Sequence, residues 1–183
     1  MQKLGAQRTS FETIVAFGAN TAFAHHSTSD RRISKNEPIL IDLGCVYNGY
    51  CSDMTRTCFF GGIDLELKRM YDIVYEAKLI AEGMLKDGAV AGDLDAAARE
   101  FIERNGYTLG HSLGHGVGLS VHESPYLRNG NDVILKEGMV ITIEPGIYVK
   151  DVGGVRLEDL YLVTPDGFVK LSNSKLDKEG LII

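Results

Sequence analysis

No run of apolar residues in this sequence approaches the ~20 needed to span a bilayer as a helix, and the N-terminus has no signal-peptide core. A cytosolic protein is the expectation. The chain also lacks an excess of basic charge. Its 19 Lys and Arg stand against 25 Asp and Glu, a net charge of -6 with a pI near 5.4, which argues against nucleic acid or a membrane surface as the main partner. Cysteine is scarce: Cys45, Cys51 and Cys58 are odd in number and have no CxxC spacing. Reduced, half-buried thiols are therefore expected, not disulfides or a zinc knuckle. Familiar motifs are missing too. Ser112 follows His111, so there is no HExxH; the glycines at 114, 116 and 118 do not form a GxGxxG opening a helix; and there is no GKS or GKT loop.

What is present suits one domain covering residues 1–183, 44% hydrophobic and 24% charged, large enough to bury a core. The stretch from His111 to Glu123 holds three of the five histidines among Gly114, Gly116 and Gly118. Each glycine inside a helix costs about 1 kcal/mol, so strand, loop and strand is the expected course. Clustered imidazoles on such a backbone suit metal binding or acid–base chemistry.

Upstream, Phe11 to Gly18 reads as a strand running into a turn at Gly18-Ala19-Asn20. His25 and His26 would point to opposite faces of an extended chain, so one of them at most should serve a given site. Ile39 to Val46 is an apolar strand interrupted by Asp42, and Asn48-Gly49 is a strong hairpin signal. That turn pairs residue 47 with 50 and 42 with 55, which puts Asp42 and Asp53 diagonally on one face. Two acids aimed at one spot call for a proton or cation between them.

Residues 64 to 86 have helical periodicity with Asp64 as N-cap, and a second helix is expected from about 93 to 105. Their charges read as solvated faces. Met139 to Val149 and Val155 to Val163 then form a second hairpin around a five-residue loop, 150–154, with Glu144 and Glu158 again on one face. A loop one residue different would separate them. Asn173 to Ile183 reads as a tail. Four carboxylates with at least one histidine suit a pair of manganese, cobalt or zinc ions better than a sulfur-rich zinc site.

These residues resemble the pita-bread metallopeptidases, in the proline-specific branch of aminopeptidase P and prolidase. The resemblance is carried by His111 to Glu123, the segments around Asp42 and Asp53-Met54-Thr55-Arg56-Thr57, Thr142-Ile143-Glu144-Pro145-Gly146, and Arg156-Leu157-Glu158-Asp159. It implies an α+β pita-bread fold, a mostly antiparallel curved sheet covered by helices. It implies two divalent ions, manganese first, held by Asp42, Asp53, His115, Glu144 and Glu158, with Asp53 and Glu158 bridging. It further implies substrate handling and transition-state stabilisation by His25, His111 and His122, proton transfer by Glu144, and Arg156 as a partner of the carboxylates. His26 receives no role.

The implied reaction is hydrolysis of the bond before proline at a peptide N-terminus by a metal-bridging hydroxide, in a whole protein that forms a homo-oligomer. Relatives usually carry an N-terminal domain and opening helices that this sequence lacks, and Ala24 stands where many have proline. A truncated chain is therefore expected. The competing readings are a catalytically silent module and, among peptidases, methionine aminopeptidase.

Overall fold

The computed structural model describes residues 1–176 and 181–183. In chain order the strands before the helices are β1 (Arg8–Thr9), β2 (Ile14–Phe17), β3 (Glu37–Leu43), β4 (Cys45–Tyr47), β5 (Tyr50–Cys51) and β6 (Met54–Phe60). Helices α1 (Leu65–Met84) and α2 (Ala91–Arg104) follow. The remaining strands are β7 (Gly114–Gly116), β8 (Glu123–Leu127), β9 (Val140–Ile143), β10 (Gly146–Val149), β11 (Gly153–Arg156), β12 (Asp159–Thr164), β13 (Gly167–Lys170) and β14 (Leu181–Ile182). They form sheets in the orders β14-β6-β3-β2, β13-β12-β9-β7-β8, β1-β4-β5 and β10-β11.

The two helices lie against each other and bury Met70, Val74, Ala77 and Ala81 of α1 with Leu94, Ala98 and Ile102 of α2. The same core takes in Ile141, Ile143, Val155, Leu157 and Tyr161 from the strands, so helices and curved sheets share one interior. Asp64 caps α1 as expected, its side chain accepting from the Glu66 N–H at 2.8 Å. No described helix is long and apolar enough to cross a membrane.

The first hairpin has the expected register, with Tyr47 opposite Tyr50 and Asp42 opposite Thr55. Asn48 and Gly49 both take positive φ, 49° and 85°, as that two-residue turn requires. The second hairpin differs. Val149 pairs with Gly153 and Gly146 with Arg156, so the loop is residues 150–152, three rather than five. Gly153 and Gly154 lie inside the strand because Thr21 crosses beside them; a Cβ on Gly154 would strike the Thr21 carbonyl. The two-residue change keeps the alternation of faces, so Glu144 and Glu158 still converge.

Other expectations are corrected. The first strand covers only Ile14–Phe17, and the turn beyond it is a 3-10 helix, Gly18–Ala22. Helix α2 begins at Ala91, two residues early, with no side-chain cap. The C-terminal segment is not all tail, since Leu181 and Ile182 pair in parallel with Cys58 and Phe59; residues 177–180 lie outside the described ones. Nor are all helical charges solvated: Lys78 on α1 and Asp95 on α2 are fully buried. Cys45, Cys51 and Cys58 are free thiols.

Candidate metal centre

Three of the anomalous acids sit where the chain leaves one sheet for another. Asp53 lies between β5 and β6, Glu144 between β9 and β10, and Glu158 between β11 and β12. A break in the ladder frees each side chain from the regular pleat and turns it inward. Asp42 on β3 and His115 on β7 complete the group. All nine residues named from the sequence, His25, Asp42, Asp53, His111, His115, His122, Glu144, Arg156 and Glu158, line one cavity of about 500 Å³.

The fit to cations is tested by the donors themselves. Ligand atoms of Asp42, Asp53 and Glu158 lie within 4.8 Å of one another, as do those of His115, Glu144 and Glu158, and those of Asp53, His115 and His122. Asp42 Oδ1 and Glu158 Oε1 are buried without a hydrogen-bond donor among the described residues. Burial, and then the nearby Asp42 and Glu144, push the Asp53 carboxyl up to about 8. Burial and the charges of Glu144, Asp53 and Asp42 push Glu158 well above the usual carboxylate range. Orphaned, mutually repelling oxygens of this kind match hard divalent ions.

The His115 Nδ1–H donates to the Gly116 carbonyl at 3.0 Å, which turns Nε2 toward the acids, 3.1 Å from Glu144 Oε1 and 3.7 Å from Asp53 Oδ2. Fixing one ring nitrogen on a backbone carbonyl is the usual way a ligating imidazole is oriented. Burial is the largest single influence and opposes charge on both His115 and Glu144, but their hydrogen bond and mutual attraction, with neighbouring groups, together outweigh it, raising the histidine and lowering the glutamate. Gly114 is glycine because β7 runs against the Thr142 carbonyl, leaving no room for a Cβ.

Two threonines to which the sequence reading gave no role hold the acids. Thr55 donates to Glu158 Oε2 at 2.7 Å and accepts from Arg156 Nε at 3.1 Å. Thr142 donates to Glu144 Oε1 at 3.2 Å and accepts from the His115 N–H at 3.1 Å. Alternation offered a signal for both, since each lies two residues from an acid on an extended chain.

Tyr148 was also missed. Its hydroxyl accepts from Arg156 Nη1 at 2.8 Å and meets His111 Nε2 at 2.9 Å, while Arg156 Nη2 donates to Asp42 Oδ2 at 2.6 Å. The Ser112 carbonyl, 2.8 Å from His111 Nδ1, can only accept, so the neutral ring carries its proton on Nδ1 and Nε2 accepts from Tyr148. Burial pushes the Tyr148 phenol up to about 12 and the His111 imidazole down, so both stay neutral near pH 7.

His25 is exposed at the mouth of the cavity, in a turn moored by Arg156 Nη1 on the Ala24 carbonyl at 3.2 Å and by the Gly154 N–H on Thr21 Oγ1 at 2.7 Å. Because the chain turns there, the argument that one of His25 and His26 must face away does not hold. Both line the cavity. His122 packs edge-on against His115, ring centroids 4.3 Å apart, and burial lowers its pKa.

The sequence profile of metallopeptidase family M24 matches residues 1–165. An uncharacterised peptidase of Methanocaldococcus jannaschii is 49% identical over 182 residues, 97% of this chain and 52% of that protein. The Xaa-Pro dipeptidase of Pyrococcus furiosus is 45% identical over 177 residues, 96% of this chain and 51% of that one. The solved structure of an Xaa-Pro dipeptidase from Bacillus anthracis matches with a TM-score of 0.96 at 40% identity, covering 100% of this chain and 51% of its own. The chain thus spans about half the length of the curated relatives it matches.

Proposed function

The chain belongs to metallopeptidase family M24 and has the pita-bread fold of its solved relatives, and on that premise we propose that the whole protein hydrolyses the bond before proline at peptide N-termini. Two divalent ions would be held by Asp42, Asp53, His115, Glu144 and Glu158. The observation that carries this reading is the convergence of those five side chains in one cavity, with two buried carboxylate oxygens lacking a donor among the described residues. Two places are supported by the donor groups His115–Glu144–Glu158 and Asp42–Asp53–Glu158, which share Glu158. Asp53 reaches toward both. The proline preference is supported by the Xaa-Pro dipeptidases of Pyrococcus furiosus and Bacillus anthracis.

When bound, such an ion pair lowers the pKa of water into the neutral range and polarises the scissile carbonyl. Glu144, oriented by His115 and Thr142, takes the proton of the attacking water and passes it to the departing proline nitrogen. His25, His111 and His122 line the space left for the peptide and orient it. An imidazole N–H facing the developing oxyanion contributes a few kcal/mol, about 2.7–4 for a comparable donor. Arg156 holds Asp42 and Tyr148 in place. Four carboxylates and one imidazole favour manganese, with cobalt or zinc compatible. The free thiols support a cytosolic setting.

The test is metal content after manganese loading, paired with hydrolysis of an Xaa-Pro dipeptide and an Xaa-Pro-Xaa tripeptide. Two ions with proline-dependent cleavage are expected, and the preferred length separates a prolidase from an aminopeptidase P. Ions without cleavage would point to an assembled centre in a silent module, and no ions would overturn the reading. His122→Ala should lower turnover, by about 10²-fold for a lost oxyanion donor, while metal content holds. Loss of metal in that variant would instead make His122 a ligand.

A further inference from the structure

The segment 109–113 carries His111 into the cavity without belonging to any strand, so its backbone has no ladder to bond to. Leu109 and Leu113 are buried on either side. Buried backbone groups in an irregular stretch need partners; the Leu113 carbonyl accepts from the Glu144 N–H at 2.8 Å, and helix α2 supplies three others. Arg99 donates from Nη1 to the Leu109 carbonyl at 2.5 Å and from Nη2 to the His111 carbonyl at 2.9 Å. Asp95 Oδ1 accepts from the Leu113 N–H at 2.9 Å. The two side chains are joined by Arg99 Nε to Asp95 Oδ2 at 2.9 Å and Arg99 Nη2 to Asp95 Oδ1 at 3.1 Å. One turn of helix therefore grips three alternate backbone positions centred on one histidine.

We infer that Asp95 and Arg99 are positioning residues for His111, setting the ring's place in the cavity through its backbone; this rests on the reading that His111 handles substrate. An i,i+4 ion pair serving only its own helix lies on the surface and contributes a few tenths of a kcal/mol. Here the carboxylate is fully buried and the pair is spent on another segment. The planar guanidinium holds two carbonyls at a fixed separation, which a single ammonium cannot do. With the backbone fixed, Ser112 and Tyr148 leave the ring one orientation and one tautomer. Displacing a substrate-orienting group by about 1 Å can cost on the order of 10²-fold in rate.

The experiment uses the full chain with Arg99→Gln, Arg99→Lys and Asp95→Asn, each also combined with His111→Ala. Long-range proton–nitrogen NMR of the imidazoles, at a pH where His111 is neutral, reads its tautomer without any need for turnover. The parent should show the Nδ1–H form, and Arg99→Gln an averaged signal with manganese content unchanged. Hydrolysis should fall about tenfold, in kcat more than KM, and Arg99→Gln should have no further effect once His111 is alanine, because it acts through that ring. Arg99→Lys should not restore the parent signal. If Arg99→Gln does not fold, Asp95→Asn, which keeps an acceptor for Leu113 but loses the charge, gives the same readout. An unchanged His111 signal in folded variants, or an equal loss of rate with and without His111, would overturn the inference. A parent chain that cuts no peptide would count against the proposed function, and the tautomer would still decide this point.

Discussion

Replacing Asp53 by asparagine is expected to stabilise the metal-free chain and to remove the stabilisation that manganese gives the parent. Asp53, Asp42, Glu144 and Glu158 crowd one buried space, and among the described residues Arg156 is paired with Asp42 alone of the four. The Asp53 carboxyl is pushed up to about 8, by burial first and then by Asp42 and Glu144. Its protonated form is thus the one the metal-free fold favours. A group with a raised folded pKa supports the fold fully below its unfolded value, about 3.9 for an aspartate, and loses that support as pH rises through the folded value. The metal-free chain should therefore weaken between about pH 4 and pH 8, and Asp53→Asn, neutral throughout, should flatten that slope.

Manganese is expected to reverse the trend, because a divalent ion binds the deprotonated carboxylates. At a hundred times its dissociation constant, one ion adds about 2.7 kcal/mol. Thermal unfolding from pH 5 to pH 8.5, with chelator and with manganese, checks both halves. The parent should gain with metal and the variant should not, with peptide hydrolysis lost alongside. A manganese shift of full size in Asp53→Asn would sink the assignment of Asp53 as a ligand.

Asp159→Ala should cost about 3–5 kcal/mol of stability, the range for breaking a buried ion pair from one side. Asp159 is fully buried and meets Arg56 Nη2 at 2.5 Å, Lys78 Nζ at 2.8 Å and Lys170 Nζ at 2.8 Å. Burial pushes its carboxyl up, but Lys78, Arg56 and Lys170 together outweigh that and hold it below the usual range. Without it, the Lys78 ammonium keeps, among the described residues, Glu82 and the Tyr161 hydroxyl, deep against the core. Lys78→Met should be far milder, because methionine fills the space and Asp159 retains Arg56 and Lys170. Urea unfolding at neutral pH separates the two. A loss under about 1 kcal/mol for Asp159→Ala would mean that the exposed side of the cluster relaxes to solvate the stranded lysine.

The first hairpin was legible in turn and register because Asn48-Gly49 fixes both, but not in the breaks at Gly44 and Ser52-Asp53, where its two strands pass from one sheet to another. The second was legible only in its alternation. Its glycines, Gly153 and Gly154, look like turn residues in the sequence, yet they are glycine because Thr21 crosses them from more than a hundred residues away. No local pattern carries that contact. The four acids stood out because carboxylates in apolar strands are costly unless something offsets them, whereas His115 was distinguished from its neighbouring histidines only by the family resemblance. Tyr148, Thr55 and Thr142 did not, because tyrosine and threonine are ordinary strand residues and only their partners reveal a role. Asp95 and Lys78 were hidden for the opposite reason. A charge on an amphipathic helix is normally solvated, and periodicity cannot show which one the tertiary fold turns inward.

The hydrogen bonds that complete the metal centre join Thr55 to Glu158 and Asp42 to Arg156, 103 and 114 positions apart. Contacts of that span form late in folding, after local helices and turns. A chain emerging vectorially from the ribosome exposes Asp42 and Asp53 long before Glu144 and Glu158 are made, so its first hairpin must wait with two unneutralised acids on one face. On the proposed ligand set, metal capture would be a terminal event of biosynthesis, and a chain stopped short of Glu158 would lack the donor shared by both proposed ion places.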